Sequence, residues 1–451
     1  MAKRIRRISE KNRPCQKIEF QPRIKTYISD GSHRWINPSQ TINNLKSNFS
    51  AREIVKECTL VWDHPFRIPS YLLRCRVIPG SRRVDRIMGK GFTKLQAYCS
   101  GIMEALERYG CSLFKDDILV RGSFRQWKDY AVDPVSLGVF REGPYSPDRS
   151  IDWIWSWNIS QNKSMLVPAL FGLYISLFNR HWYYASSSAL GQYTYSDSNG
   201  CAAGNCLEEA ILHGIYEVIE RDAITINARN QLRPPDVELT SEIQNGNLKT
   251  ILSRIKNDNN FILRIKNLTL DIQIPTFGCL LFDKKCNYLS VGYGTHFSPE
   301  IALLRAITEL FQSRAVVLKS AYKEKTPPHR FRSVPFSRLQ YLWEEGRGKI
   351  IFGQIKDLST PDLSADLLLA LSMLEKKNMD VFVVHRSEKC QGVPVVKVII
   401  PSAQRIDWTW LFGKDLLGSG SDRIFRVPKE LGFCGDARTW DDLDITQITF
   451  G

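Results

Sequence analysis

Apolar residues recur along this chain in two rhythms. IVKECTLVW and YLLRCRVIP are short apolar runs of the kind that form strands, the second ended by the turn signal Pro79-Gly80. In GKGFTKLQAYCSGIMEALERYG the period lengthens. Leu95, Cys99, Ile102, Met103 and Leu106 fall on one helical stripe, stopped by Gly110. A second helix is predicted from near Asn205 to about Ile226, packed through Leu207, Ala210, Ile211, Gly214, Val218 and Ile219. FILRIKNLTL, IPTFGCLLF and NYLSVGYGTHF read as successive strands, and PEIALLRAITELFQSRAVV as a third helix with Pro299 in its first turn. ADLLLALSMLEKKNMD predicts one more helix, and the Val- and Ile-rich MDVFVVHRS and VPVVKVIIP predict central strands.

Between these elements the pattern fades. Residues 120–160, rich in Pro, Trp, Gly and Ser, read as a loop-heavy connection, residues 229–255 as a polar excursion, and residues 320–350 as a basic, aromatic loop. Residues 1 to about 25 read as an exposed basic lead-in. MLVPALFGLYISLF, before the aromatic HWYYASSSAL, is too short to span a bilayer and contains a proline, so it is predicted as a core element. Strands alternate with helices across long insertions. That predicts an α+β fold of mixed α/β character rather than a doubly wound sheet.

Composition changes this picture little. The 451 residues, 43% hydrophobic and 24% charged, are enough to bury a substantial core and exclude a disordered or fibrous chain. The net charge of +15 favours acidic partners. Beyond the N-terminal tail and RVIPGSRRVDR the excess forms no long stripe with interleaved aromatics, which argues against nucleic acid. Eleven cysteines, an odd number without a CxxC pair, and an N-terminus lacking an apolar signal core indicate thiols in the reducing cytoplasm. Cys201 and Cys206 lack nearby partners for a zinc site.

Three helices carry the candidate chemistry. Ser100, Glu104 and Glu107 share one face of the first, after a loop containing Lys90. Glu209, His213, Glu217 and Glu220 share a face of the second, with Arg221 next to them and Ser198-Asn199-Gly200 leading in. Ala302, Arg305, Glu309 and Gln312 share a face of the third, after a loop with Gly292 and Gly294. Like charges at helical spacing destabilise a helix, and a divalent cation would compensate them. Carboxylates suit magnesium, which commonly takes phosphate oxygens as its other ligands. Glycine-containing loops could aim backbone N–H groups at phosphate, with Arg221 and Arg305 neutralising it. The pattern is that of a magnesium-nucleotide site without a P-loop, since GxxxxGK[ST] is absent. The alternative is three solvated acidic faces. His213 and His296 read as structural hydrogen-bonders, because neither has the serine or cysteine partner of a triad.

IMGKGFTKLQAYCSGIMEALERY, SDSNGCAAGNCLEEAILHGIYEVIERDA and GYGTHFSPEIALLRAITELFQSR resemble, in order, the three signature blocks of the YcaO family. VPVVKVIIPSAQ resembles its closing strand block, and NPSQTINNLK and FRIPSYLLRCRVIP sit in family-like order. The resemblance implies a basic extension over 1–26, a YcaO domain over 27–415, and a C-terminal extension over 416–451. It implies ATP and Mg2+ as cofactors. Glu104, Glu209, Glu217 and Glu220 would hold the metal. Ser100, Glu107, Asn205 and Arg221, with Lys90, Arg305 and Gln312, would hold the nucleotide. No side chain would act as nucleophile.

The implied reaction is O-phosphorylation of a backbone amide in a ribosomally synthesised precursor peptide. Cyclodehydration of Cys, Ser or Thr to azolines is the leading product. Thioamide formation with a TfuA-type partner, amidine formation and a non-catalytic scaffold stay open. A separate E1-like leader-binding protein or TfuA-type protein is the expected partner, with a homodimer as a further assembly. The ending DDLDITQITFG lacks the proline-rich tail of many azoline-forming members, and Arg386-Ser387 replaces an acidic residue and Thr found in many relatives.

Overall fold

The computed structural model describes residues 15, 17–28, 32–48, 51–140, 143, 145–175, 194, 196–239, 243–324, 336–405, 416–417 and 421–444. The aromatic run at 181–190 lies outside the described residues.

Three sheets surround three long helices. The first is an antiparallel meander of β1 (Val55–Asp63), β2 (Ile68–Cys75) and β3 (Asp85–Lys90). A six-stranded sheet runs β4 (Val120–Ser123), β6 (Ser150–Asn158), β14 (Phe382–His385), β15 (Val395–Ile399) and β8 (Cys201–Ala203), with β7 (Lys163–Pro168) also on β6. A five-stranded sheet runs β12 (Tyr288–Thr295), β11 (Thr276–Asp283), β10 (Phe261–Asn267), β9 (Asp236–Glu238) and β13 (Lys349–Ile351). The short β5 (Val139–Phe140) pairs with β16 (Leu416–Leu417). A short helix, α1, spans Pro38–Asn48.

The three motif helices fill the clefts between sheets. Helix α2 (Lys94–Cys111) packs on β2 and β3 from one side and on β8 and β15 from the other. Helix α3 (Leu207–Arg229) lies between β8 and β15 and the end strand β12. After α4 (Gly246–Lys256), helix α5 (Pro299–Glu324) lies between β11 and β12 and the first sheet. Helix α6 (Leu363–Glu375) covers α3, and α7 (Ser421–Glu430) lies against it. Each motif helix therefore buries apolar residues on two sides, leaving one face for a space between them.

Local chemistry explains where α2 begins. Thr93 caps it in a reciprocal arrangement: Thr93 Oγ1 accepts from the Gln96 N–H, and the Gln96 side chain accepts from the Thr93 N–H. Its buried stripe is Ala97, Cys99, Gly101, Ile102, Ala105 and Leu106, with Leu95 exposed, so the predicted stripe is rotated at its start. The motif glycines have a different role from the one expected. Gly89 lies inside β3, where an added Cβ would stand 2.0 Å from the Ala97 carbonyl oxygen of α2. Gly294 lies inside β12, where a Cβ would stand 2.1 Å from the Ala302 carbonyl oxygen of α5. At these two positions glycine lets helix and strand close up, and it does not cradle an anion.

Other expectations are corrected. Residues 120–160 contain β4 and β6, and β6 (SIDWIWSWN) is buried on both faces. A doubly buried strand shows no alternation, which hid it. The polar excursion at 229–255 contains α4, whose Leu248, Ile251 and Ile255 form a narrow buried stripe under an Asn245 cap. The exposed lead-in fails at two positions of the segment 17–26, which is otherwise mostly exposed: Ile18 joins the core, and the buried Lys25 is ion-paired at 2.5 Å with Asp366. Among the described cysteines none is bridged, and most are buried, Cys58 being exposed. Among the described residues no helix is long and apolar enough to cross a membrane.

Candidate active site

All eleven predicted site residues line one cavity of about 410 Å³ where α2, α3 and α5 meet. Lys90 ends β3, and its backbone N–H donates to Ser100 Oγ on α2 at 3.3 Å. Glu104 and Glu107 follow on α2; Asn205, Glu209, Glu217, Glu220 and Arg221 come from the start and inner face of α3; Arg305 and Gln312 come from α5. Glu208, beside Glu209 in sequence, faces the other way and holds the N-terminal segment through Arg23 and the Gln21 N–H. Register on the helix separates a pocket carboxylate from a structural one.

The cavity also contains charges outside the predicted set: Arg34, Arg108 and Glu309. Glu309 shares the predicted face of α5 and forms an ion pair with Lys90. Arg34 comes from the irregular segment before α1, where no periodicity marks it. Its Nη1 lies 3.1 Å from Glu209 Oε1, and the Trp35 N–H donates to Glu209 Oε2 at 3.0 Å. Asn205 Nδ2 donates to the same carboxylate at 3.0 Å, and Asn205 Oδ1 accepts from Thr41 at 2.8 Å.

The carboxylates do not form a ready coordination cluster. No group of three candidate ligands among the described residues is close enough to hold an ion as it stands. Arginines stand between them: Glu104 is 3.4 Å from Arg108, and Glu217 is 3.9 Å from Arg221. The acids thus share one cavity in which cationic side chains stand among them.

The electrostatics show what the cavity lacks. Desolvation pushes the Glu107 carboxyl well up, against the pull of Arg108. Desolvation also raises Glu217, and raises Glu220 together with the nearby charge of Glu309. At Glu309, burial is outweighed by Lys90, Arg221 and Arg305, which hold it below the ordinary range. Burial and the surrounding cations push His213 well below its usual value, so it is a neutral ring, 3.2 Å from the Arg305 guanidinium. His296, likewise held neutral by burial, receives the Ser298 N–H and packs on Tyr216. Two buried polar atoms of opposite character, Glu220 Oε2 and Arg305 Nε, have no hydrogen-bond partner among the described residues.

Those orphans test the fit of the implied ligands. Six carboxylates (Glu104, Glu107, Glu209, Glu217, Glu220, Glu309) face five cations (Arg34, Lys90, Arg108, Arg221, Arg305). Such a cavity is near neutrality and offers a bare triphosphate no net positive charge. A divalent cation arriving with it would satisfy the raised carboxylates and the free arginine donor together. The residues fit ATP with Mg2+. His213 lines the space with Ser32, Ser100 and Cys99, but among the described residues its ring nitrogen meets Arg305 rather than a hydroxyl or thiol.

A cavity of this kind defines a nucleotide- and metal-binding protein outside the P-loop class. Residues 88–404 match the family model described as YcaO cyclodehydratase, ATP- and Mg2+-binding, and the chain belongs to the YcaO family. Membership brings ATP and Mg2+ as cofactors and an ATP-dependent enzyme class. An uncharacterized protein of Methanothermobacter thermautotrophicus is 31% identical over 381 residues, covering 82% of this chain and 94% of the relative. An uncharacterized protein from the tfuA 3' region of Rhizobium leguminosarum bv. trifolii is 25% identical over 403 residues, covering 84% and 90%. Two solved structures share the fold. A heterocyclase in complex with substrate and cofactor superposes with TM-score 0.80 at 22% identity, over 98% of this chain. The chain spans 60% of that heterocyclase's length. YcaO from Methanopyrus kandleri bound with AMPPCP and Mg2+ superposes with TM-score 0.66 at 21% identity, covering 85% of this chain and 95% of that one.

Proposed function

We propose that this chain phosphorylates the oxygen of a backbone amide in a ribosomally made peptide, so that a neighbouring Cys, Ser or Thr closes an azoline. The supporting observation is the cavity itself: carboxylates from separate helices alternate with cations around one space. When bound, Mg2+-ATP supplies the phosphoryl group that turns an amide oxygen, a poor leaving group, into phosphate. Glu104, Glu209, Glu217 and Glu220 would hold the metal, which would take the place of Arg108, Arg34 and Arg221 beside the first three. Arg221, Arg305 and Lys90 then face the phosphates, where fixed positive charge favours the transition state. Glu309 holds Lys90 in place. Ser100, Asn205 and Gln312 supply neutral hydrogen bonds to the nucleotide, and Glu107 lies beside them under Arg108.

In the overall change the attacking side chain bonds to the carbonyl carbon, the amide oxygen leaves as phosphate, and the thiol or hydroxyl and amide protons are released. The peptide loses the elements of one water per ring. Intact-mass measurement of a candidate precursor, incubated with this chain, ATP and Mg2+, tests the reading. Loss of one water per site, dependent on Cys, Ser or Thr, supports it. No ATP-dependent mass change would instead support a scaffold.

A second product is favoured by the relative from the tfuA region: a thioamide, made with a TfuA-type partner. Its signature is replacement of one oxygen by sulfur, requiring sulfide. An E1-like leader-binding partner fits the first reading, and the +15 charge suits an acidic leader in either.

A further inference from the structure

Strand β3 leaves the cavity carrying an unbalanced charge. Lys90, Met88 and Arg86 alternate on it and share one face of the first sheet. Lys90 and Met88 line the cavity, and Arg86 is exposed beyond them. The neighbouring strand repeats the arrangement: Leu72 stands opposite Met88, and Arg74 stands directly opposite Arg86. Like charges facing each other across two strands are destabilising. Glu57, on the third strand, is 2.8 Å from Arg74 and satisfies one of the two. Among the described residues no carboxylate forms an ion pair with Arg86. The face thus runs from the phosphate-binding lysine, over Met88 and Leu72, to two facing arginines that share one counter-charge, Glu57 on Arg74.

We propose that this face is the track along which the substrate peptide lies, and that Arg86 with Arg74 selects an acidic side chain in it. This rests on the reading that amide activation occurs in the cavity. Four residue steps along β3 cover about 13 Å, so an extended substrate would place its acidic residue about four positions from the reacting amide. Met88 and Leu72 are half-buried on the face that α5 also packs against, and their accessible parts give the intervening residues an apolar floor. The occupant is an extended acidic peptide, because it matches both the charge at the far end and continuity with the cavity at the near end.

The test uses the full chain with Mg2+ and AMPPNP, and fluorescence polarisation of synthetic peptides. The probes are Gly/Ser-rich, with one Cys and two adjacent Asp about four positions before or after it, and matched Asn versions. Wild type prefers one acidic probe over its Asn version by about fivefold to tenfold at low salt, and the preference collapses at about 0.5 M NaCl. Arg86→Glu abolishes the preference, Arg86→Lys keeps it, and Lys256→Glu on exposed α4 keeps it. Arg86→Glu also leaves thermal stability equal or higher, since it faces Arg74 with an opposite charge. The proposal is overturned by equal binding of acidic and neutral probes, by no binding of either, or by an equal loss in Lys256→Glu. Nucleotide binding separates the two levels. If Mg2+-AMPPNP stabilises wild type but the probes are not distinguished, only the track fails; if it gives no stabilisation, the amide-activation reading fails.

Discussion

Glu220 carries a conflict that the free protein cannot resolve. One of its carboxylate oxygens is buried without a partner, and desolvation together with Glu309 raises its proton affinity. Glu107 and Glu217 are raised in the same direction. A carboxyl with a raised native pKa keeps a proton that the unfolded chain has given up. It therefore loses stability as pH rises above the ordinary carboxylate range. Cation binding requires the ionised form and expels those protons, so the thermal shift caused by Mg2+-AMPPNP should grow as pH rises above the ordinary carboxylate range. Glu220→Gln removes the repelling charge. Scanning fluorimetry should show its free form melting no lower than wild type while its Mg2+-nucleotide shift shrinks. A free form melting well below wild type would mean that Glu220 is instead a structural partner.

At the scale of elements, helices were the most legible part of the chain and doubly buried strands the least. The motif helices show their acids at helical spacing, so membership of a face could be read directly. Which faces meet could not, because that depends on long-range packing. Arg34 shows the limit: it reaches Glu209 from an irregular segment, and only folding brings it there. Glu309 was on the right face, and its pairing with Lys90 was not visible. Arg386, which departs from the resemblance, holds Asp117 and the carbonyls of Gly110 and Ser112, tying the C-terminal end of α2 to the six-stranded sheet. Gly89 and Gly294 serve close packing of strand on helix. Gly294→Ala would force β12 and α5 apart, costing about 1–3 kcal/mol and moving Arg305 and Glu309. Denaturant unfolding should show that loss, with weaker Mg2+-nucleotide binding. Wild-type stability in this variant would contradict the close-packing account.

Over the whole molecule, remote segments stiffen the motif helices. Arg423 of α7 bridges Asp222 of α3 and Asp271 at 2.6–2.9 Å, one residue from Arg221. Asp444 accepts from Arg229 through its carbonyl at 2.6 Å, at the C-terminal end of α3. The N-terminal segment grips the other end through Glu208. The three clefts between sheets thus fix three acidic faces around one space. Calorimetric titration of AMPPNP, with and without Mg2+, into wild type, Glu209→Gln and Glu217→Gln tests that arrangement most directly. Wild type should bind the nucleotide only with Mg2+, and each folded variant should bind about tenfold or more weakly. Equal binding without Mg2+, or variants indistinguishable from wild type, would contradict a metal-nucleotide site built from these carboxylates.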